Sequence, residues 1–132
     1  HAERKKKLRD NDRGHWLKNA QTAFNAYIRK RDEHLPCISC QRHHTGQYHA
    51  GHYRSVGSNP ALRFEPLNNN KQCMPCNSHL SGNLIDYRIN LIKKIGQEKV
   101  DWLEGSHEPK RYTIEDLKEI SKHYKAELKK FE

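Results

Sequence analysis

The chain has 132 residues, 33% of them hydrophobic, and 25 Lys+Arg stand against 16 Asp+Glu for a formal net charge of +9. That length suits one compact domain and excludes two large ones, and a mean hydropathy of −1.16 leaves a core that stabilises a fold only marginally by burial. A further source of stability is expected, and a polyanion is the first partner to consider. The charge is uneven, with 12 Lys+Arg against 5 Asp+Glu in residues 1–60 and 13 against 11 in residues 61–132. No apolar run of 18 residues occurs and the N-terminus is charged, so no membrane span or secretory signal is expected and the protein is read as soluble and cytoplasmic. The sequence opens on His1 without Met, as a trimmed or tagged fragment would.

Residues 3–9 are a basic run followed by Asp10, Asn11, Asp12 and Gly14, turn formers that argue against one continuous helix. The run, with Lys5, Lys6 and Lys7, is either a solvated tail or a phosphate-contacting arm. Trp16, Ala20, Ala23, Phe24, Tyr27 and Ile28 then share one face of a predicted helix of about five turns, with Lys18, Arg29, Lys30 and Arg31 on its polar face. From Leu35 to Asn83 the pattern breaks into short pieces rich in Cys, His, Gly and Pro, which read as loops and a hairpin around a metal. Gln47 to Arg54 predicts an extended strand after the Thr45-Gly46 turn. Beyond Gly82, Ile85, Ile89, Ile92 and Ile95 predict a helical stripe stopped by Gly96, and a short helix over 97–104 is anchored by Val100, Trp102 and Leu103. Thr113 and Asp116 open a last helix bearing Leu117, Ile120, Tyr124, Leu128 and Phe131, roughly 27 Å long at ~1.5 Å per residue. These C-terminal helices are expected to pack or to dimerise.

All four cysteines fall into two pairs, Cys37-Ile-Ser-Cys40 and Cys73-Met-Pro-Cys76. A two-residue gap lets both thiolates of a pair reach one tetrahedral Zn²⁺ at ~2.3 Å, and two pairs complete a closed four-sulfur site. A single redox C-x-x-C leaves the second pair unexplained. Zinc also answers the stability deficit, since such sites contribute on the order of 10 kcal/mol of folding free energy.

Inside and just after the bracket lie His49-Ala-Gly-His52-Tyr53-Arg54, Asn68, Asn77 and His79. This arrangement resembles the zinc-braced branch of the HNH, or ββα-metal, endonucleases, the group that includes phage T4 endonuclease VII. The resemblance makes His52 the catalytic His, Asn68 the middle Asn and Asn77 the metal-side Asn. Asn69 and Asn70 adjoin Asn68, and the five-residue distance to Cys73 favours Asn68. A closer resemblance, from Trp16 to about Leu128, is to the NinG, or Rap, recombination nucleases of lambdoid phages. It rests on Leu35-Pro-Cys-Ile-Ser-Cys40, Ala50-Gly-His-Tyr-Arg54, Leu62-Arg-Phe64, Lys71-Gln-Cys73, Cys76-Asn77, Ser81-Gly-Asn83 and Ile95-Gly-Gln-Glu98. It implies a structure-selective endonuclease for branched DNA such as Holliday junctions or D-loops, acting as a homodimer in the host bacterial cytoplasm. The fold class expected is α+β, mostly helical, with segment 1–33 a basic tail and amphipathic helix, 34–83 a zinc-braced HNH-like core, and 84–132 a C-terminal helical region.

Under this reading His52 is the general base, since an imidazole with an ordinary pKa near ~6.5 accepts the proton of water at neutral pH. Asn77 is an oxygen ligand for Mg²⁺ or Mn²⁺, and Asn68 orients His52. Many members of the wider group place Asp before the catalytic His, whereas this chain has Gly51. His49 or His79 is then a substitute ligand, and His49 would favour softer Mn²⁺, Co²⁺ or Ni²⁺. On a regular strand His49 and His52 face opposite sides, and only a bulge near Gly51 brings them together. DNA contacts are expected from the N-terminal basic excess and from Arg54 and Arg63. The alternative is a non-catalytic zinc-ribbon module that binds nucleic acid. A redox or zinc-storage role explains neither the asparagines nor the charge.

Overall fold

A computed structural model describes residues 2–132 of the chain; His1 lies outside the described residues. Among the described residues the α-helices and strands run, in order, α1 (Ala2–Asp10), α2 (Arg13–Arg31), β1 (Tyr48–His52), β2 (Asn69–Cys73), α3 (Leu84–Ile95), α4 (Gln97–Glu104) and α5 (Ile114–Lys129). The chain is mostly helical with one small antiparallel sheet. No helix among these residues is long and apolar enough to cross a membrane. Two compact units divide it, one formed by the N-terminal residues to Tyr27 with Arg111–Glu132, the other by Ile28–Lys110. The sequence-based boundaries after residues 33 and 83 differ from this division, because α3 and α4 belong to the unit that carries the cysteines.

In the first unit the basic run is itself helical. Straight-chain Lys, Arg, Glu and Leu are good helix formers, and α1 exposes every side chain from Ala2 to Leu8. Asn11 and Asp12 break the helix as the turn formers suggest. Asp12 then caps α2, its carboxylate accepting the Gly14 N–H at 2.9 Å. Ala20, Ala23 and Phe24 are buried on α2, and Phe24 meets Tyr124 of α5 edge-on at 4.8 Å between ring centroids. The expected capping box forms, with the Thr113 hydroxyl accepting the Asp116 N–H and the Asp116 carboxylate accepting the Thr113 N–H. α5 ends at Lys129, so its 16 residues span about 24 Å. Ser121, bonded to Asn19, is buried on it where the sequence pattern pointed to Ile120.

The second unit closes around Ile38, Tyr53, Leu62, Tyr87, Leu91, Val100 and Leu103. β1 and β2 pair in unbroken register from Tyr48–Cys73 to His52–Asn69. Between them a 3₁₀ turn over Pro66–Asn68 leads the chain into β2. Two residues stand apart from the expected isoleucine stripe, since Ile85 is 80% and Ile89 50% exposed while Tyr87 and Leu91 are buried. The buried face of α3 is set by Tyr87 and Leu91, with Ile92 and Ile95 at its edge. Gly96, at φ +94°, ends α3 and accepts a backbone sign that a side chain disfavours. Trp102 is half exposed and is not a core anchor of α4.

Arg31 also departs from its expected solvent face. Its guanidinium grips both oxygens of Asp32 and donates to the carbonyls of Pro66 and Asn69. Asp32 is 2% exposed, accepts the Lys71 N–H and pairs with Lys94 at 2.9 Å. Burial raises the Asp32 pKa, yet Arg31 and then Lys94 hold it below its ordinary value. This buried group fixes the end of α2 to the start of β2, the strand that leads into the second cysteine pair.

Candidate functional site

The two cysteine pairs are brought together by the hairpin. Ile38 donates its N–H to Lys71 O at 2.9 Å, which docks the first knuckle on β2, and Cys73 closes that strand. Cys76 follows in a single π turn over Pro75–His79. The four sulfurs lie within 4.8 Å of one another. Cys40 and Cys73 are 3.8 Å apart, the edge of a tetrahedron with ~2.3 Å metal–sulfur bonds. Against burial, which raises it, the N–H groups of Cys73, Cys40 and Ser39 hold the Cys37 thiol low, whereas burial pushes Cys73 up to about 12. A closed, largely buried set of four thiols is the donor set of structural zinc, and Cys37, Cys40, Cys73 and Cys76 can hold one such ion. Among the described residues it is the one group of three or more His, Cys, Asp or Glu donors placed to bind a metal.

His52 ends β1 directly opposite Asn69. Directly opposed residues of an antiparallel pair share a face, so Asn69 is the neighbour of the imidazole. The Nδ1 of His52 and the Oδ1 of Asn69 are both buried, and neither makes a hydrogen bond among the described residues. Burial lowers the His52 pKa, the Asn69 oxygen partly restores it, and the charge of Arg63 lowers it again. The lowered pKa keeps the ring neutral at neutral pH.

Asn68 does not reach His52. Its amide is fully used by Arg54, accepting the N–H at 2.8 Å and donating to the carbonyl at 3.1 Å, with a further bond to Leu62 O. Asn68 secures the chain beyond β1, and the place beside the imidazole that the sequence assigned to Asn68 is taken by Asn69. The 3₁₀ turn sets this register, because it ends on Asn68 and starts the strand one residue later.

The other face of the hairpin carries His49, Gly51, Asn70 and Gln72. No bulge occurs at Gly51, so His49 and His52 stay on opposite faces. Tyr87 from α3 donates to Gly51 O at 2.6 Å and accepts from Asn70. Gln72, wholly buried, donates to Ser39 Oγ and Gly82 O. That last bond anchors a turn in which Ser81, Gly82 and Asn83 all have positive φ. A β-carbon at residue 51 would lie 2.0 Å from Gln72 Oε1, which is why this position is glycine. The Oε1 of Gln72 and the Nε2 of His49, its cross-strand partner, are buried with no partner. His49, which the sequence offered as a ligand beside His52, is therefore turned away from it.

Asn77 is half-buried and His79 exposed on the π turn, and neither makes a hydrogen bond to His52. Arg63 influences His52 as noted. Arg54 donates to Glu104 O, and Glu104, held down to about 2 by Arg88 and the Tyr53 hydroxyl, anchors the segment after His52 to α4. Lys5, Lys6 and Lys7 are exposed on α1 in the other unit.

The sequence profile of one family, Bacteriophage Lambda NinG protein, matches residues 1–132. The chain belongs to the NinG family. It is 50% identical over 124 residues to protein ninG of Escherichia phage lambda, covering 94% of this chain and 61% of that protein. To protein ninG of Escherichia phage 933W and of Salmonella phage P22 it is 48% identical, again over 94% of this chain and 62% and 61% of those proteins. This NinG-family chain thus spans about three-fifths of the length of these phage relatives. No solved structure matches it.

The register places Asn69, which the sequence offered only as a neighbour of Asn68, opposite His52, and it buries Gln72, which the sequence did not single out. Asn69 was visible as a neighbour of Asn68, and the period of the strand would have separated the two had its first residue been known. For Gln72 the signal was Gly51 itself, since a glycine inside a strand marks a close approach.

Proposed function

We propose that this NinG-family chain is a metal-dependent, structure-selective DNA endonuclease that cuts branched recombination intermediates such as Holliday junctions and D-loops by phosphodiester hydrolysis. The observation that carries the reading is His52, a half-buried imidazole kept neutral at the end of a strand, with Asn69 opposite it and Arg63 close by. A structural zinc on Cys37, Cys40, Cys73 and Cys76 braces that strand pair. Two copies acting as a homodimer in the host cytoplasm would cut both strands of a branch.

Hydrolysis needs a water deprotonated for attack and a phosphate relieved of its charge. His52 Nε2 accepts the proton of the water, and Asn69 steadies the resulting imidazolium through Nδ1. Arg63 offsets the negative charge of the phosphate and keeps His52 deprotonated between turnovers. His49 and Gln72 face away from His52 and cannot hold an ion for the same phosphate; Asn77 from the π turn would supply an oxygen ligand to a divalent ion, which when bound would neutralise the leaving 3′ oxygen.

A second reading, a non-catalytic zinc-braced nucleic-acid-binding module, is favoured by the crowding of residue 51, where no metal-binding carboxylate fits. Incubating a labelled four-way junction and a linear duplex with Mg²⁺, Mn²⁺ or Co²⁺ separates the two. Nicks near the branch point support the nuclease, and tight binding without cleavage under every ion supports the module.

A further inference from the structure

By composition, residues 61–132 look nearly neutral, yet α5 gathers its four lysines along one line. Lys118, Lys122, Lys125 and Lys129 recur at steps of four, three and four, the spacing of a single line along a helix. Together with Trp16, Ser121 and Ala126 they line one groove of about 460 Å³, wholly within the first unit. The ammonium of Lys118 lies 5.3 Å from the centre of the Trp16 ring. The Trp16 indole N–H is buried with no acceptor among the described residues. None of the four lysines has a carboxylate partner there: Asp116 serves the capping box, and Glu127 pairs with Lys130.

We infer that this groove grips the phosphate backbone of one strand of a duplex DNA arm, as a binding site separate from the one around His52. Glu115 and Glu119 stand one turn from Lys118 and Lys122 without pairing with them, and the four lysines alone supply the charged side chains that line the groove. Lys118 to Lys129 spans ~16.5 Å at 1.5 Å per residue, the rise of about five nucleotides of one strand at ~3.4 Å each. Lysines are point charges that engage phosphate without reading bases, so the site holds any sequence. The site needs no metal and no cleavage, so it stands or falls independently of the nuclease reading.

Trp16 and Trp102 are the two tryptophans of the chain, so a Trp102→Phe background makes Trp16 the sole fluorescent reporter. The titration uses a blunt 20-base-pair duplex, without added divalent metal, across a series of salt concentrations. The expected result is a saturable change in Trp16 emission, and a slope of log affinity against log salt that falls by about 1.8 in Lys122→Gln/Lys125→Gln, at 0.9 per phosphate contact. Lys122→Arg/Lys125→Arg retains the slope, and unchanged circular dichroism shows that both variants fold. An unchanged slope in the Gln variant overturns the inference. So does a Trp16 response to phosphatidylserine vesicles with none to the duplex.

Discussion

Replacing Gly51 by Ala tests the packing that sets the face of the hairpin behind His52. The new methyl would lie 2.0 Å from Gln72 Oε1 and 2.9 Å from its Cβ and Cδ, contacts that real β-carbons do not make. Gln72 is wholly buried and its amide is tied to Ser39 Oγ at 2.9 Å and to Gly82 O, so it yields only by breaking those bonds. Overpacking costs about 1–3 kcal/mol, and losing a buried hydrogen bond adds roughly 1–2 kcal/mol. The expected loss is about 2–4 kcal/mol, or roughly 1–2 M in the urea midpoint at an m-value of about 2 kcal/mol/M. Urea unfolding of zinc-loaded protein measures it, and a cycle with Gln72→Ala isolates the clash. In the double variant the methyl enters space that the glutamine has left, so the two losses should fall short of additivity by about 1 kcal/mol or more. A Gly51→Ala protein within about 0.5 kcal/mol of wild type, or strictly additive losses, would refute the reasoning.

Asp32→Asn leaves Arg31 and Lys94 facing a neutral partner. The expected cost is about 2–3 kcal/mol in urea unfolding, below that of a fully buried pair because both cations keep about a quarter of their side-chain surface in water. Because the Asp32 pKa is lowered on folding, its contribution is complete above the ordinary carboxylate value and is lost as pH falls through the folded value; the Asn variant should lack that acid limb. His52 is also lowered on folding, but as a base it stays neutral longer in the folded chain, so stability should decline as pH falls below about 6.5. Imidazole NMR titration should show the His52 pKa rising in Arg63→Gln and falling further in Asn69→Ala. Thr113→Ala removes the capping box of α5 and should cost about 1 kcal/mol, read as a drop in Tm of about 3–5 °C.

Helices α2 to α5 and the cysteine cluster were legible because each depends on local pattern, whereas α1 was read only as a basic tail or arm. The step of three and four along α2, the turn formers at Asn11 and Asp12, the Thr113–Asp116 box and the Gly96 stop act within a few residues of themselves. The cysteine spacing likewise encodes a shared centre, and the four sulfurs do converge. What failed were readings that required knowing what lies opposite. Ile85 and Ile89 fit a helical stripe as well as Tyr87 does, but only the packing of the hairpin against Tyr87 decides which face is covered. Arg31 resembled any solvent-facing cation until the buried Asp32 and the carbonyls of Pro66 and Asn69 were seen around it. Asn69 and not Asn68 lies opposite His52 because a 3₁₀ turn, which leaves no periodic trace, sets where β2 begins. The lysine groove was hidden by counting charges along the chain, since the acids of α5 cancel its lysines in the sum while the lysines themselves line one groove.

The nuclease reading rests on His52 as the general base, and cleavage of a labelled four-way junction by His52→Ala in Mn²⁺ tests it most directly. Zinc content and junction affinity are measured on the same sample. The account predicts one zinc per chain and unchanged binding, with the nicking rate down by about 10²–10⁴, the usual worth of a positioned base. A His52→Ala protein that keeps its zinc and cuts the junction at the wild-type rate would contradict it.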